Sequence, residues 1–177
     1  AVPTDLFIST FVGTGAQSST GDGGAASAAT INGPAQTWID SAQQYMYVTE
    51  KGGCRLRRVE LTSGGYTVTT FAGNGTAAST GDGEQAFLAT LNGPVGMHGN
   101  SVGHVYIAEY IAHQVRVVDI SSGIIDKYAG TTDSLGSTGD GSAATSAELN
   151  APAYLAGDTA GNLFIADYSN YKVRKVT

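Results

Sequence analysis

Thr20-Gly21-Asp22-Gly23, Thr80-Gly81-Asp82-Gly83 and Thr138-Gly139-Asp140-Gly141 are one motif written three times. Each copy sits in a longer shared frame. Phe11-Val12-Gly13-Thr14-Gly15 and Ile31-Asn32-Gly33-Pro34 flank the first, Phe71-Ala72-Gly73-Asn74-Gly75 and Leu91-Asn92-Gly93-Pro94 the second, and Tyr128-Ala129-Gly130 and Leu149-Asn150-Ala151-Pro152 the third. The aspartates recur at intervals of about 60 residues, a period that marks repeated supersecondary units. The 177 residues therefore read as a single module with repeats near 11–70, 71–127 and 128–177.

Within the second repeat, Tyr66–Ala72 alternates as a strand does and stops at Gly73. A loop rich in Gly, Ala and Ser runs from about Asn74 to Asn92. Pro94-Val95-Gly96-Met97, His104–Glu109 and Gln114–Asp119 then read as three closely spaced strands, and Ile124–Ala129 opens the next repeat. Four antiparallel strands per repeat is the pattern of a β-propeller blade. A stacked solenoid is the alternative, but a fourth strand adjoining the next unit favours radial packing.

Composition agrees with an all-β chain of tight turns: 25 glycines, 9 tyrosines and only 14% charged residues. No stretch has the length and apolar continuity of a membrane span. The net charge of −6 is a poor match for a phosphate backbone, so no nucleic-acid partner is expected. The local basic patch Arg55, Arg57 and Arg58 is read as outward arginines on an edge strand. The single cysteine, Cys54, excludes an intrachain disulfide framework and is either a buried small side chain or an interchain crosslink. Ala1-Val2-Pro3-Thr4 shows no signal-peptide pattern. Asn74-Gly75-Thr76 is a glycosylation acceptor pattern or an ordinary Asn-Gly turn. With the lightly charged Ser/Thr/Gly-rich composition, it points to an extracellular location.

Glu50 and Arg57, Glu109 and Arg116, and Asp167 and Arg174 each pair an acid with an arginine seven residues on, across a hairpin turn. Repeated at matching positions, they are expected to be structural pins of the blades rather than ligand sites. Asp22, Asp82 and Asp140 could present oxygen to calcium, but each is expected instead to close an Asx turn beside glycines of positive φ. Trp38, Tyr110 and Tyr168 are the candidates for an exposed binding surface, whereas Tyr47, Tyr106 and Phe164 occupy equivalent strand positions and read as core. No catalytic residue, metal site or cofactor is expected.

The third repeat resembles the NHL family of β-propellers. The resemblance rests on Leu149-Asn150-Ala151-Pro152, Gly161-Asn162-Leu163-Phe164-Ile165-Ala166-Asp167 and the Val173-Arg174-Lys175-Val176 ending. The Gly-Asp-Gly elements look like the variant with long loops between blades. The first two repeats depart from the pattern, with Glu50 and Glu109 for the acid and Gln43-Gln44 for Gly161-Asn162. The resemblance implies a platform that holds proteins, peptides, sugars or, in some members, RNA. Related propellers include amidating lyases that hold zinc with histidines from several blades; His98, His104 and His113 all fall in one repeat here. An enzyme of the amidating-lyase or lactone-hydrolase type, with a metal at the ring axis, is the alternative to a non-enzymatic scaffold.

Family propellers most often have six blades, so three repeats are expected to form half a ring. Leu6–Gly13 matches the fourth strand of a blade, while Val173–Thr177 matches the third strand of a blade that lacks its fourth. Residues 6–13 are therefore expected to complete the last blade of another copy, giving a homodimeric ring or a filament, with a protein or glycan ligand on the assembled surface. A longer parent chain is the third possibility.

Overall fold

The computed structural model describes residues 6–62 and 64–177. It is all-β apart from three single 3₁₀ turns. The first sheet holds β1 (Pro34–Ile39), β2 (Tyr45–Glu50), β3 (Arg55–Glu60) and β4 (Val68–Ala72) in that spatial order. The second comprises β5 (Glu84–Gln85), β6 (Pro94–Gly99), β7 (His104–Glu109), β8 (Gln114–Asp119) and β9 (Ile124–Ala129), ordered β5-β9-β8-β7-β6. The third has β10 (Pro152–Gly157), β11 (Leu163–Asp167) and β12 (Lys172–Val176). All pairings within the sheets are antiparallel.

With the two-residue β5 left aside, each sheet starts at a proline, which needs no ladder partner for a missing N–H, and each then slips register within three residues, at Pro34/Thr37, Pro94/Met97 and Pro152/Tyr154. The turn between the second and third strands carries a non-glycine residue at left-handed φ in every sheet: Cys54 (49°), His113 (58°) and Tyr171 (56°). Repetition of a strained conformation at one position shows that the surrounding hairpin, not the local residue type, dictates it.

The first strands of the three sheets are neighbours in chain order, with β6 touching both β1 and β10. One apolar seam joins the first two sheets, with Trp38, Tyr45, Tyr47 and Phe71 packing among Leu91, Met97, Val105, Ile107 and Ile125. A second seam gathers Tyr106, Ala108 and Val115 with Leu149, Leu155, Leu163 and Ile165. The first seam is also tied by polar groups. Gln36 presents its carboxamide to the backbone of β6, accepting from Met97 N at 2.8 Å and donating to Met97 O at 3.2 Å. Thr49 Oγ1 donates to Val95 O at 2.8 Å. Sheets packed in succession, with β1, β6 and β10 side by side, make the arrangement propeller-like.

Trp38 corrects an expectation. It lies half-buried in the first seam with its ring 5.4 Å from that of Tyr47, and Gly99 leaves room for it: a Cβ there would fall inside the indole. The basic patch is corrected as well. β3 is an inner strand flanked by β2 and β4. Arg57 is fully buried, Arg55 donates to Gly53 O and Asn74 O, and the Arg58 guanidinium lies over the rings of Tyr45 and Phe71.

Candidate functional site

The Gly-Asp-Gly loops fold back onto their own sheets and bring together residues distant in the chain. Asp22 lies 2.7 Å from Arg57, Asp82 2.7 Å from Arg116 and Asp140 2.7 Å from Arg174. The same arginines reach the hairpin acids at longer range: Glu50 at 3.0 Å, Glu109 at 3.8 Å and Asp167 at 3.6 Å. The expected acid–arginine pairs are therefore present, but the loop aspartate is the closer partner in each repeat. This corrects the Asx-turn assignment of Asp22, Asp82 and Asp140. Asp22 spends Oδ1 on Arg57 and Oδ2 on the Thr70 hydroxyl. The glycine part of the expectation stands: Gly21, Gly81 and Gly139 have φ near +90° and approach Ala29, Ala89 and Ala147 so closely that a Cβ would lie 3.0 Å or less from the alanine Cα.

Glu50, Glu109 and Asp167 are wholly buried and spoken for. Glu50 accepts from the Ser19 hydroxyl and Arg57. Glu109 accepts from the Ser79 hydroxyl, the Gln114 amide and Asn92 N. Asp167 accepts from Asn150 N and the Asn170 amide. Burial pushes both glutamate carboxyls above the ordinary range, against the pull of these donors. Such groups hold a loop to a sheet; none is presented to a ligand.

The loop face of the molecule carries a row of equivalent positions. Lys51, Tyr110 and Tyr168 each follow the hairpin acid. Lys51 Nζ sits 4.8 Å from the centre of the Tyr110 ring, and the Tyr110 and Tyr168 rings are 6.3 Å apart. Tyr168 is exposed and Tyr110 half-buried. Asn74 is exposed, but its side chain serves the turn, donating to Leu88 O and accepting from Thr76 N. Cys54 is buried. The three histidines point to separate tasks: His113 Nδ1 accepts from Ala151 N, His104 lies edge-on to Tyr106, and His98 packs on Gly157. Among the described residues, no group of three or more His, Cys, Asp and Glu is placed to hold a metal ion.

The third sheet differs from the other two along its outer edge. A cleft of about 420 Å³ runs there beside β12, lined by Ala144, Leu149, Ile165, Arg174 and Val176 among others. In the first sheet β4 occupies the matching position, with Val68 exchanging backbone hydrogen bonds with Gly23 and Gly24. In the second, β9 does so, with Gly83 N donating to Ile125 O and Ala86 N to Gly123 O. Gly141 N and Ala144 N stand at the equivalent places in the third repeat and have no backbone acceptor among the described residues.

No family model matches the chain, and no curated protein matches it. Solved structures do. A Bacteroides thetaiotaomicron protein of unknown function superposes over 80% of this chain with a TM-score of 0.70 and 21% identity, covering 34% of its own length. Auxiliary nutrient binding proteins from Bacteroides ovatus (TM-score 0.61, 19% identity) and Bacteroides thetaiotaomicron (TM-score 0.61, 16% identity) each match 80% of this chain and 36% of their own. At these identities the likeness is one of fold, and the present chain spans about a third of the length of those proteins. Among the described residues, no helix is long and apolar enough to cross a membrane.

Proposed function

We propose that the chain is a three-blade propeller module of NHL type, acting as a non-enzymatic scaffold that assembles by strand complementation and presents a binding face. Residues 6–13 of one copy pair with β12 of another, giving a six-bladed homodimeric ring. The observation that carries the reading is the contrast at one position in three repeats. Val68 and Ile125 are fully buried in the fourth strands of the first two sheets, and the matching Ile8 is fully exposed. Leu6 and Phe7 beside it are exposed too. Gly13 N donates to Ala26 O as Gly73 N does to Ala86 O and Gly130 N to Ala144 O. The segment thus leaves the first repeat at the point from which β4 and β9 leave the repeats that follow them.

A second contrast lies on the outer face of the third sheet, where Val173 is 72% exposed and the corresponding Leu56 and Val115 are fully buried in seams. An incoming copy would cover Val173 with its first sheet and the cleft beside β12 with Ile8. Thr10, the counterpart of Thr70, would place its hydroxyl on Asp140 as Thr70 does on Asp22. The buried acids Glu50, Glu109 and Asp167 are consumed in loop-to-sheet contacts, which supports a scaffold over an enzyme. The two nutrient-binding proteins of like fold support an extracellular, ligand-holding role, for which the Tyr110 and Tyr168 face is the candidate surface.

The test is the mass in solution of the intact chain, of a chain lacking residues 1–10 and of Ile8→Asp, which leaves Phe11–Gly13 in their own contacts. The expected result is a two-protomer mass that falls to one protomer in both altered chains. An intact chain that stays monomeric at high concentration, or a dimer indifferent to both changes, overturns the reading; open-ended growth replaces the ring by a filament.

A further inference from the structure

The two seams repeat the same residue positions with one substitution that matters. In the first sheet Arg58 stands opposite Tyr47 on β2, and its guanidinium carbon lies 4.6 Å from the centre of the Tyr45 ring and 5.5 Å from that of Phe71. In the third sheet the same position is Lys175, opposite Phe164, with Nζ 5.9 Å from that ring. In the second sheet the position opposite Tyr106 is Val117. The aromatic surroundings persist there, since His104 replaces Tyr45 and Tyr128 replaces Phe71, with the Tyr106 and Tyr128 rings 4.7 Å apart in an edge-to-face pair. What is missing is the cation, and the space it would fill is a cleft of about 480 Å³.

One carboxylate beside that space is new, at Asp126, and one is kept, at Asp119. Val117 faces Asp126 across the ladder to β9, where Arg58 faces Thr69 across the ladder to β4. His104 faces Asp119, where Tyr45 faces Glu60. Both Asp119 and Asp126 line the cleft, and neither forms a salt bridge among the described residues. Asp119 accepts from the Ser121 hydroxyl, Ser121 N and Ser122 N, which holds its carboxyl below the ordinary range and keeps it ionised. An aromatic-lined cleft with two carboxylates at its rim is electrostatically matched to an organic cation.

We propose that the cleft between Tyr106, Val117 and Tyr128 is a binding site for the cationic side chain of a basic peptide, a guanidinium or ammonium on an alkyl stem taking the place that Arg58 and Lys175 hold in the other two sheets. The alkyl stem lies along Val117 and the tyrosine rings, and the head group reaches Asp119 and Asp126. The segment proposed to complete the third sheet, Leu6–Gly13, contains no Lys or Arg and so does not supply this cation.

The experiment titrates the full chain with N-acetyl-arginine amide and N-acetyl-lysine amide, and with the neutral isosteres N-acetyl-citrulline amide and N-acetyl-norleucine amide. Amide chemical shifts report which residues respond. The expected result is saturable binding of one or both cationic probes, mapped to β7, β8 and β9, with the neutral isosteres weaker by about tenfold or more. Asp126→Asn, an exposed change that leaves the fold intact, weakens the cationic probe by about tenfold. Val117→Arg supplies the cation from within the chain and abolishes binding. Equal affinity for the charged and neutral probes, shifts mapped elsewhere, or an Asp126→Asn protein that binds as the native chain does, overturns the proposal, and these outcomes hold whether or not the chain dimerises.

Discussion

Replacing Arg116 by Met removes the cation that spans the second Gly-Asp-Gly loop and its sheet. Arg116 is buried, as is Glu109, 3.8 Å away, whereas Asp82 on the other side is half exposed. Removal of one member of a buried pair costs roughly 3–5 kcal/mol, because the remaining charge is left desolvated. Glu109 keeps the Ser79, Gln114 and Asn92 donors, which places the expected loss near the lower end, about 3 kcal/mol. For a chain of this length that lowers the thermal midpoint by roughly 6–12 °C. The loss depends on pH. Burial already raises Glu109 above 4.5 in the folded chain, so the native state binds more protons than the unfolded one just above that value. The stability linked to that proton is present at low pH and lost as pH rises through the native value. Without Arg116 the native value moves higher, and the penalty is smaller at pH 5 than at pH 8. Urea denaturation of Arg116→Met and of the double variant Glu109→Gln/Arg116→Met at both pH values measures this. The double variant is expected to recover much of the loss at pH 8. A single variant that loses under about 1 kcal/mol, or a double variant no more stable than the single, would refute the view that Arg116 neutralises a buried acid.

Burial lowers the His98 imidazole below its ordinary 6.5. Folding therefore favours the neutral ring, and stability is lost as pH falls below 6.5; His98→Asn should flatten the thermal midpoint between pH 7.5 and 5.5 relative to the native chain, and parallel slopes would exclude this. Gly99→Ala puts a methyl into the Trp38 ring and is expected to cost about 1–3 kcal/mol by denaturant titration. Gly65→Ala, where the added methyl meets nothing within 4 Å among the described residues beyond its chain neighbours, should be neutral or gain a few tenths of a kcal/mol. Val117→Arg, by filling the second seam as Arg58 fills the first, should raise the thermal midpoint, whereas Arg58→Val should lower it; calorimetry of both variants decides the sign.

The strands of a repeat were legible because alternation and turn glycines are local. His104–Glu109 and Gln114–Asp119 coincide with β7 and β8 to the residue, and a hairpin of fixed length makes Glu50, which stands opposite Arg55, a diagonal neighbour of Arg57 on the same sheet face, so Glu50 and Arg57 could be paired from spacing alone. The partnership of Asp22 with Arg57 was not legible, since 35 residues and a loop without regular alternation separate them. Its signal was the threefold recurrence of an aspartate and an arginine in step, which a count of charges per repeat could have found. Trp38 and the Arg55–Arg58 run were misplaced for a different reason. Whether a strand residue faces water or a neighbouring sheet depends on what stacks against that sheet.

By itself the sequence determined the repeat, its strand order, the glycine positions and the acid–arginine hairpin pairs, all consequences of backbone sterics and short-range geometry. Only the tertiary structure decided which sheet faces meet, that the loop aspartates close on buried arginines, that Ile8 and Val173 lie bare where their counterparts are covered, and that Val117 leaves a cleft where Arg58 fills one. Those depend on the packing of separate repeats against one another, where a position is defined by its neighbour in space and not by its neighbour in the chain.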